Sequence, residues 1–184
     1  MDLTNTSAVT IESRAEHDID AGTHRKIHRL LAESFPGYPS RSYFKQLPHL
    51  RYLAWEGDGD TLVAHVGIDH RMIRNGDTPL RVFGIVDVCV AASARSRGMA
   101  SSILSDIETT ARSSGADALL LFADDPRLYL ANGYQQVSND AKWLMLHEHE
   151  TFGIAEKPVS EMMVKMLSDD PWGEGAVDLL GYLF

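Results

Sequence analysis

The chain has 184 residues, 44% of them hydrophobic, enough for one domain with a sizeable core. Its net charge of −9, with acidic residues spread along the chain, disfavours nucleic acid as a partner; it suits a cationic substrate, or simply an acidic, soluble surface. No run approaches the ~20 apolar residues of a membrane helix, and a single cysteine, Cys89, cannot form an internal disulfide. Met1-Asp2-Leu3-Thr4 lacks a basic stretch followed by an apolar one, so a cytoplasmic protein without signal peptide is expected.

In chain order, residues 1–6 read as a frayed start and 8–12 as a first strand. Ile27, Leu30, Leu31 and Phe35 recur at helical spacing, which predicts a helix from Thr23 to Phe35, broken by Pro36-Gly37-Tyr38-Pro39. Ser40 is a candidate cap for a short second helix, 41–47. Strands are expected at 51–55, 61–73 and 80–90, with a turn at 57–60 and a hairpin signal at Asn75-Gly76. Two separate short strands are expected at 135–137 and 142–146. Residues 159–167 fit helix or strand equally, and the apolar end 177–184 reads as docked.

The most informative stretch is Val86-Asp87-Val88-Cys89-Val90 and the turn after it, Arg95-Ser96-Arg97-Gly98-Met99-Ala100-Ser101. The first part is β-branched and apolar, as a strand buried on both faces would be. Ala100, Ile103, Leu104, Ile107 and Ala111 then fall on one helical face, and Gly115 fits a C-cap. A turn between a buried strand and a helix N-terminus presents backbone N–H groups and the positive end of the helix dipole to an anion.

Arg95-x-x-Gly98-x-Ala100 resembles the pyrophosphate-binding signature of the GNAT acyl-CoA-dependent N-acyltransferases, with Ala100 in place of the commoner second glycine. Pro126-Arg127-Leu128-Tyr129-Leu130-Ala131-Asn132-Gly133-Tyr134 follows a second buried strand, 118–122. It resembles the family's short helix ending in Tyr-x-x-x-Gly-Phe/Tyr. The resemblance covers roughly residues 80–137, with the strand pattern extending it to about 50. It implies an α/β (α+β) GNAT fold: a mixed, mostly antiparallel sheet with a parallel splayed strand pair, flanked by helices. It also implies a single domain, with N-terminal strands and acceptor-wall helices (1–79), an acyl-CoA-binding core (80–137) and C-terminal strands and tail (138–184). Acetyl-CoA is the implied cosubstrate, held by Val88, Cys89 and Val90 along the pantetheine and by 95–101 at the pyrophosphate.

The implied reaction moves an acyl group from a CoA thioester to an amine. It needs a base for the amine, a donor for the oxyanion and a proton for the departing thiolate. The resemblance gives Tyr129 the acid role and the backbone N–H of Val88 the oxyanion role. Asp87, a carboxylate inside an apolar strand, reads equally as the base or as a structural group bonded to Arg71, Arg81 or a backbone N–H; Glu33, Asp69 and His70 are weaker candidates. Cys89 reads as a small core hydrophobe rather than a nucleophile. His65 reads as a satisfied strand residue. His147-Glu148-His149-Glu150 lacks the spacing of a zinc site, so no metal is expected.

Glu33, Phe35, Tyr38, Tyr43, Phe44 and Asp69 are candidates for the acceptor wall, with core packing as the alternative for each aromatic. The layout is similar to that of aminoglycoside 2′-N-acetyltransferases, which implies a cationic acceptor held by Asp178, Glu174 and the carboxylate of Phe184. Protein N-termini, lysines, polyamines and small amines stay open as acceptors. So does a non-catalytic acyl-CoA-binding or interaction module. No membrane partner is expected, and either a monomer or a homodimer fits.

Overall fold

A computed structural model describes residues 8–57 and 59–184. The expected frayed start at 1–6, and Asp58 in the 57–60 turn, lie outside the described residues. In chain order come β1 (Val9–Ala15), α1 (Ala21–Ser34), β2 (Leu50–Glu56), β3 (Thr61–Asn75), β4 (Thr78–Val90), α2 (Met99–Ser113), β5 (Ala118–Phe122), α3 (Arg127–Ala131), β6 (Gln135–His147), β7 (Glu150–Met166) and β8 (Val177–Tyr182). The strands follow one another in the sheet as β1-β2-β3-β4-β5-β7-β6-β8. β4 pairs with β5 in parallel, and β1–β2, β5–β7 and β6–β7 are antiparallel. This is the mixed α/β sheet expected. No helix among the described residues is long and apolar enough to cross a membrane.

The chain forms two compact units. One joins the described residues up to Gly67 with Asp87–Ile103; the other joins Ile68–Val86 with Leu104–Phe184. In the first, α1 begins where Asp20 accepts from the amides of Gly22 (2.7 Å) and Thr23 (3.0 Å) and from the Thr23 hydroxyl (2.8 Å). Those bonds favour the charged carboxylate and lower its pKa to about 2. Ile27, Leu30 and Leu31 form the buried stripe of α1 and pack with Leu53, Trp55, Leu62 and Cys89.

The helix expected at 41–47 is absent. The segment is a series of bends held by tertiary bonds: Arg41 donates to the carbonyls of Tyr43 (3.1 Å) and Phe44 (2.6 Å), and buried Ser42 gives its carbonyl to Arg51 (2.9 Å). Those carbonyls serve side chains instead of a helical ladder, so propensity is overridden.

In the second unit, Ala118-Leu119-Leu120-Leu121 is buried throughout, and Val82, Phe83 and Gly84 of β4 pair with Ala118, Leu119 and Leu120. No pair continues beyond Gly84–Leu120, although β4 runs to Val90 and β5 to Phe122. The two short strands expected at 135–137 and 142–146 are one strand, β6, irregular in register between Val137 and Asn139. The polar residues between them look like a turn in sequence. They stay in the strand because Asn139 is fully used: its amide donates to the carbonyls of Gly173 (3.0 Å) and Gly175 (2.7 Å), and its oxygen accepts from Trp172 (2.9 Å). Residues 159–166 are strand, part of β7, pinned between β5 and β6. The turn from β6 to β7 puts Glu148 and His149 at positive φ, the requirement of a tight hairpin.

The chain end packs inward. A Cβ on Gly84 would lie 2.0–2.5 Å from the ring of Phe184, so only glycine admits that ring. Gly84→Ala therefore overpacks this contact and lowers stability by about 1–3 kcal/mol. Phe184→Ala in the same background should recover part of the loss in urea denaturation; equal losses in the single and double variants would show that the contact is not the cause.

Candidate active site

The turn after β4 is built on two left-handed residues. Ser96 has φ 62° and Gly98 φ 73°. The Ser102 N–H bonds the Gly98 carbonyl (3.0 Å), which starts α2 at Met99. An α-helix leaves its first amides without an intrahelical acceptor, and the first turn of α2 carries no acid that would repel an anion. Gly98 is required by its backbone angle rather than by crowding, since nothing lies within 4 Å of where its Cβ would be. The two arginines brace the turn. Arg97 divides its guanidinium between Glu56 (2.6 Å) and the Ser93 carbonyl (2.9 Å), and Arg95 donates to the Val90 carbonyl (3.2 Å). Both stay exposed, as do Ser96 and Gly98; Met99 is buried, and Ala100 and Ser101 are half-buried.

Asp87 lies one residue before Val88, with φ 52° inside β4. A non-glycine residue held there stores strain that its surroundings must sustain. The holding group is a buried relay. Arg51 and His65 are both fully buried. Arg51 bonds both oxygens of Glu16 and donates to Nε2 of His65 at 2.9 Å. A guanidinium only donates, so Nε2 must accept and the ring proton sits on Nδ1. Nδ1–H then donates to the Asp87 carbonyl at 3.0 Å. Burial first, and the Arg51 charge second, push the His65 pKa down to about 3. The half-buried Asp87 carboxylate accepts from the Tyr38 hydroxyl at 2.8 Å.

The sequence suggests Arg71, Arg81 or a backbone amide as structural partners of Asp87. Arg71 donates to the Tyr182 carbonyl and Arg81 to the carbonyls of Ser114 (3.4 Å) and Gly115 (3.2 Å), while the Asp87 carboxylate accepts from Tyr38, a partner the sequence does not suggest. Arg51 and Glu16 are not singled out by any motif; the one signal in the sequence is an arginine opening an otherwise apolar strand.

The spacing of the Tyr129 motif has a direct cause. The Tyr129 carbonyl accepts from the amides of Asn132 (2.9 Å) and Tyr134 (3.0 Å), a closure that needs Gly133 at φ 82°. The rings of Tyr129 and Tyr134 meet edge to face at 5.8 Å. Burial, then the charge of Asp125, push the Tyr129 phenol up to about 12. It is therefore protonated at neutral pH.

Cys89 is 5% exposed, and burial pushes its thiol up to about 12, which leaves almost no thiolate to act as a nucleophile. Val88 and Val90 are half-buried. Asp69 is buried and accepts from the Tyr182 hydroxyl. Asp178 lies near Lys142 (3.7 Å) and Arg74 (4.0 Å), so its charge is already balanced. The Phe184 ring stacks on Arg71, 3.8 Å from Cζ to centroid. Glu33 and Phe35 are exposed at the end of α1. The first unit contains Phe35, Tyr38, Asp87 and residues 88–101, and within it Phe35 meets Tyr38, which bonds Asp87. Asp69, Phe184 and Tyr129 belong to the second, and Asp178 pairs with basic residues there.

His65 gives the relay a pH signature. Its pKa is about 3 folded against 6.5 unperturbed, so the unfolded chain takes up a proton that the folded chain refuses. Stability from this residue is complete above pH 6.5 and falls as pH drops towards 3. The stability of wild type relative to His65→Gln, which can still accept from Arg51, should shrink across that window in denaturant titrations. Parallel curves would contradict the relay.

Residues 17–137 match the family model of the acetyltransferase (GNAT) domain. A search of the curated proteins gave no match. Among solved structures, the chain is similar to a GNAT family N-acetyltransferase (YhbS) from Escherichia coli in complex with CoA. They are 18% identical with a TM-score of 0.61, over 97% of this chain and 92% of that one. A GNAT family acetyltransferase from Brucella melitensis in complex with acetyl-CoA gives 14% identity and a TM-score of 0.57, over 91% and 94%. A GCN5-related N-acetyltransferase from Kribbella flavida gives 19% and 0.56, over 71% of this chain; the chain spans only 34% of that protein's length. The structural likenesses show the fold, and the family model covers well over half of the sequence: the chain belongs to the GNAT acetyltransferase family.

Proposed function

We propose that the protein transfers an acetyl group from acetyl-CoA to a primary amine by direct attack, as a single GNAT domain. The observation that carries this reading is the turn from β4 to α2, where Ser96 and Gly98 take left-handed conformations and open a helix whose first turn holds no acid. Two proteins of the same fold bind CoA and acetyl-CoA. In this reading the amides at 98–101 and the charge of Arg95 and Arg97 receive the pyrophosphate. Backbone groups of Val88, Cys89 and Val90 receive the pantetheine amides.

Asp87 takes a proton from the ammonium of the acceptor. The neutral nitrogen attacks the thioester carbonyl, and the oxyanion is met by the Val88 N–H. The C–N bond forms first, giving a tetrahedral intermediate. This collapses with cleavage of the C–S bond as Tyr129 protonates the departing CoA thiolate, and the nitrogen, still carrying an extra proton after attack, returns that proton to the Tyr129 phenolate to leave the neutral amide. The phenol suits this task because it carries its proton at neutral pH, as an ordinary tyrosine does and as burial reinforces. The buried, protonated thiol of Cys89 supports direct transfer over an acyl-enzyme.

Acetyl-CoA at a hundredfold excess over its Kd should raise the stability of the folded chain by ~2.7 kcal/mol, read as an upward shift in Tm. No shift at millimolar acetyl-CoA would overturn the reading. Tyr129→Phe should lower kcat by roughly 10²-fold with the KM for acetyl-CoA nearly unchanged, the effect of losing a general acid. An unchanged kcat would remove Tyr129 from the chemistry.

A further inference from the structure

Phe35-Pro36-Gly37-Tyr38 is a tight turn. The Tyr38 amide bonds the Phe35 carbonyl (3.1 Å), with proline at the second position and Gly37 at φ 76° in the third, the signature of a type II turn. Such a turn brings its first and last side chains to one side. The rings of Phe35 and Tyr38 lie 6.0 Å apart, and Phe44 stands 5.7 Å beyond Tyr38. Phe44 is not loose, because Arg41 bonds its carbonyl and that of Tyr43. Phe35 is 36% exposed and Phe44 45%, so the row presents aromatic surface to solvent. The row ends on a charge: the central ring, Tyr38, holds the Asp87 carboxylate through its hydroxyl.

From this row of rings joined to one carboxylate, we infer that the acceptor is an aralkylamine: a single primary ammonium carried on a flat apolar body. The inference rests on the acetyltransferase reading and names the acceptor of that same site. Phe35, Tyr38 and Phe44 cover the apolar body, and Asp87 receives the ammonium and then its proton. A polycation would need several carboxylates, and most acids of the same unit are bonded to the protein's own groups; Glu33, exposed two residues before Phe35, is an exception that the spermidine and kanamycin arms below test. In the same unit Glu16 is bonded to Arg51, Glu56 to Arg97, Glu12 to Trp55 and Arg14, and Asp20 caps α1. Asp178, the residue the sequence suggested for a polycationic sugar, is balanced by Lys142 and Arg74.

The test is CoA-thiol release by the full chain with acetyl-CoA and each of four amines: phenethylamine, butylamine, spermidine and kanamycin. Phenethylamine should show the highest kcat/KM, exceeding butylamine by roughly tenfold or more, the value of burying one ring. Phe44→Ala, on an exposed bend, should keep its Tm and its KM for acetyl-CoA. It should collapse the phenethylamine-to-butylamine ratio through KM rather than kcat. Preference for spermidine or kanamycin, or a ratio that Phe44→Ala leaves unchanged, would overturn the inference while the acetyltransferase reading stands. No thiol release with any amine, together with no Tm shift on adding acetyl-CoA, would overturn both.

Discussion

A buried guanidinium can only donate hydrogen bonds, and most of this candidate site follows from where Arg51 spends them. Two go to Glu16, one to the Ser42 carbonyl and one to His65. Taking such a charge from water costs several kcal/mol, offset only when its donors are well matched, and removing a partner from a pair of this kind costs ~3–5 kcal/mol. The bond to Nε2 leaves the imidazole one choice of tautomer. That tautomer points a donor at the Asp87 carbonyl and holds β4 at a left-handed residue where β geometry would otherwise continue. The Asp87 backbone is therefore held from β2 and β3, through two fully buried side chains, Arg51 and His65.

The other site residues are held by local rules of similar strictness. The Tyr129 carbonyl is a shared acceptor for two amides downstream, which fixes a short helix too brief to be stable alone. The turn between β4 and α2 relies on Ser96 and Gly98 for its shape, and its arginines are tied to Glu56, Ser93 and Val90 rather than left to swing. Each device places backbone strain or buried charge at the candidate site and leaves the aliphatic cores ordinary.

Sequence alone reaches far where a signal is local. The strands at 86–90 and 118–122, the glycine-bearing turn, the Tyr-x-x-x-Gly-Tyr helix and the hairpin at Asn75-Gly76 are legible because spacing and glycine angles act over a few residues. The burial expected on both faces of 86–90 is not found, since only Cys89 is buried there and the buried part of β4 is Val82–Ile85. Sequence fails where distant partners decide. The bends at 41–47 look helical until Arg41 and Arg51 claim their carbonyls. Ser138-Asn139-Asp140 looks like a turn until Asn139 meets Gly173, Gly175 and Trp172. The Tyr38–Asp87 bond joins residues 49 positions apart, and periodicity carries no information over that range.

The most direct measurement is the ¹⁵N spectrum of the His65 ring as a function of pH. The account predicts a neutral ring with its proton on Nδ1 and a bare Nε2, unchanged as pH falls well below the ordinary histidine value of 6.5, because burial and Arg51 hold its pKa near 3. A ring that titrates near 6.5, or one that carries its proton on Nε2, would contradict it: Arg51 would then not be the donor, and Asp87 would lose the group argued to hold it in place.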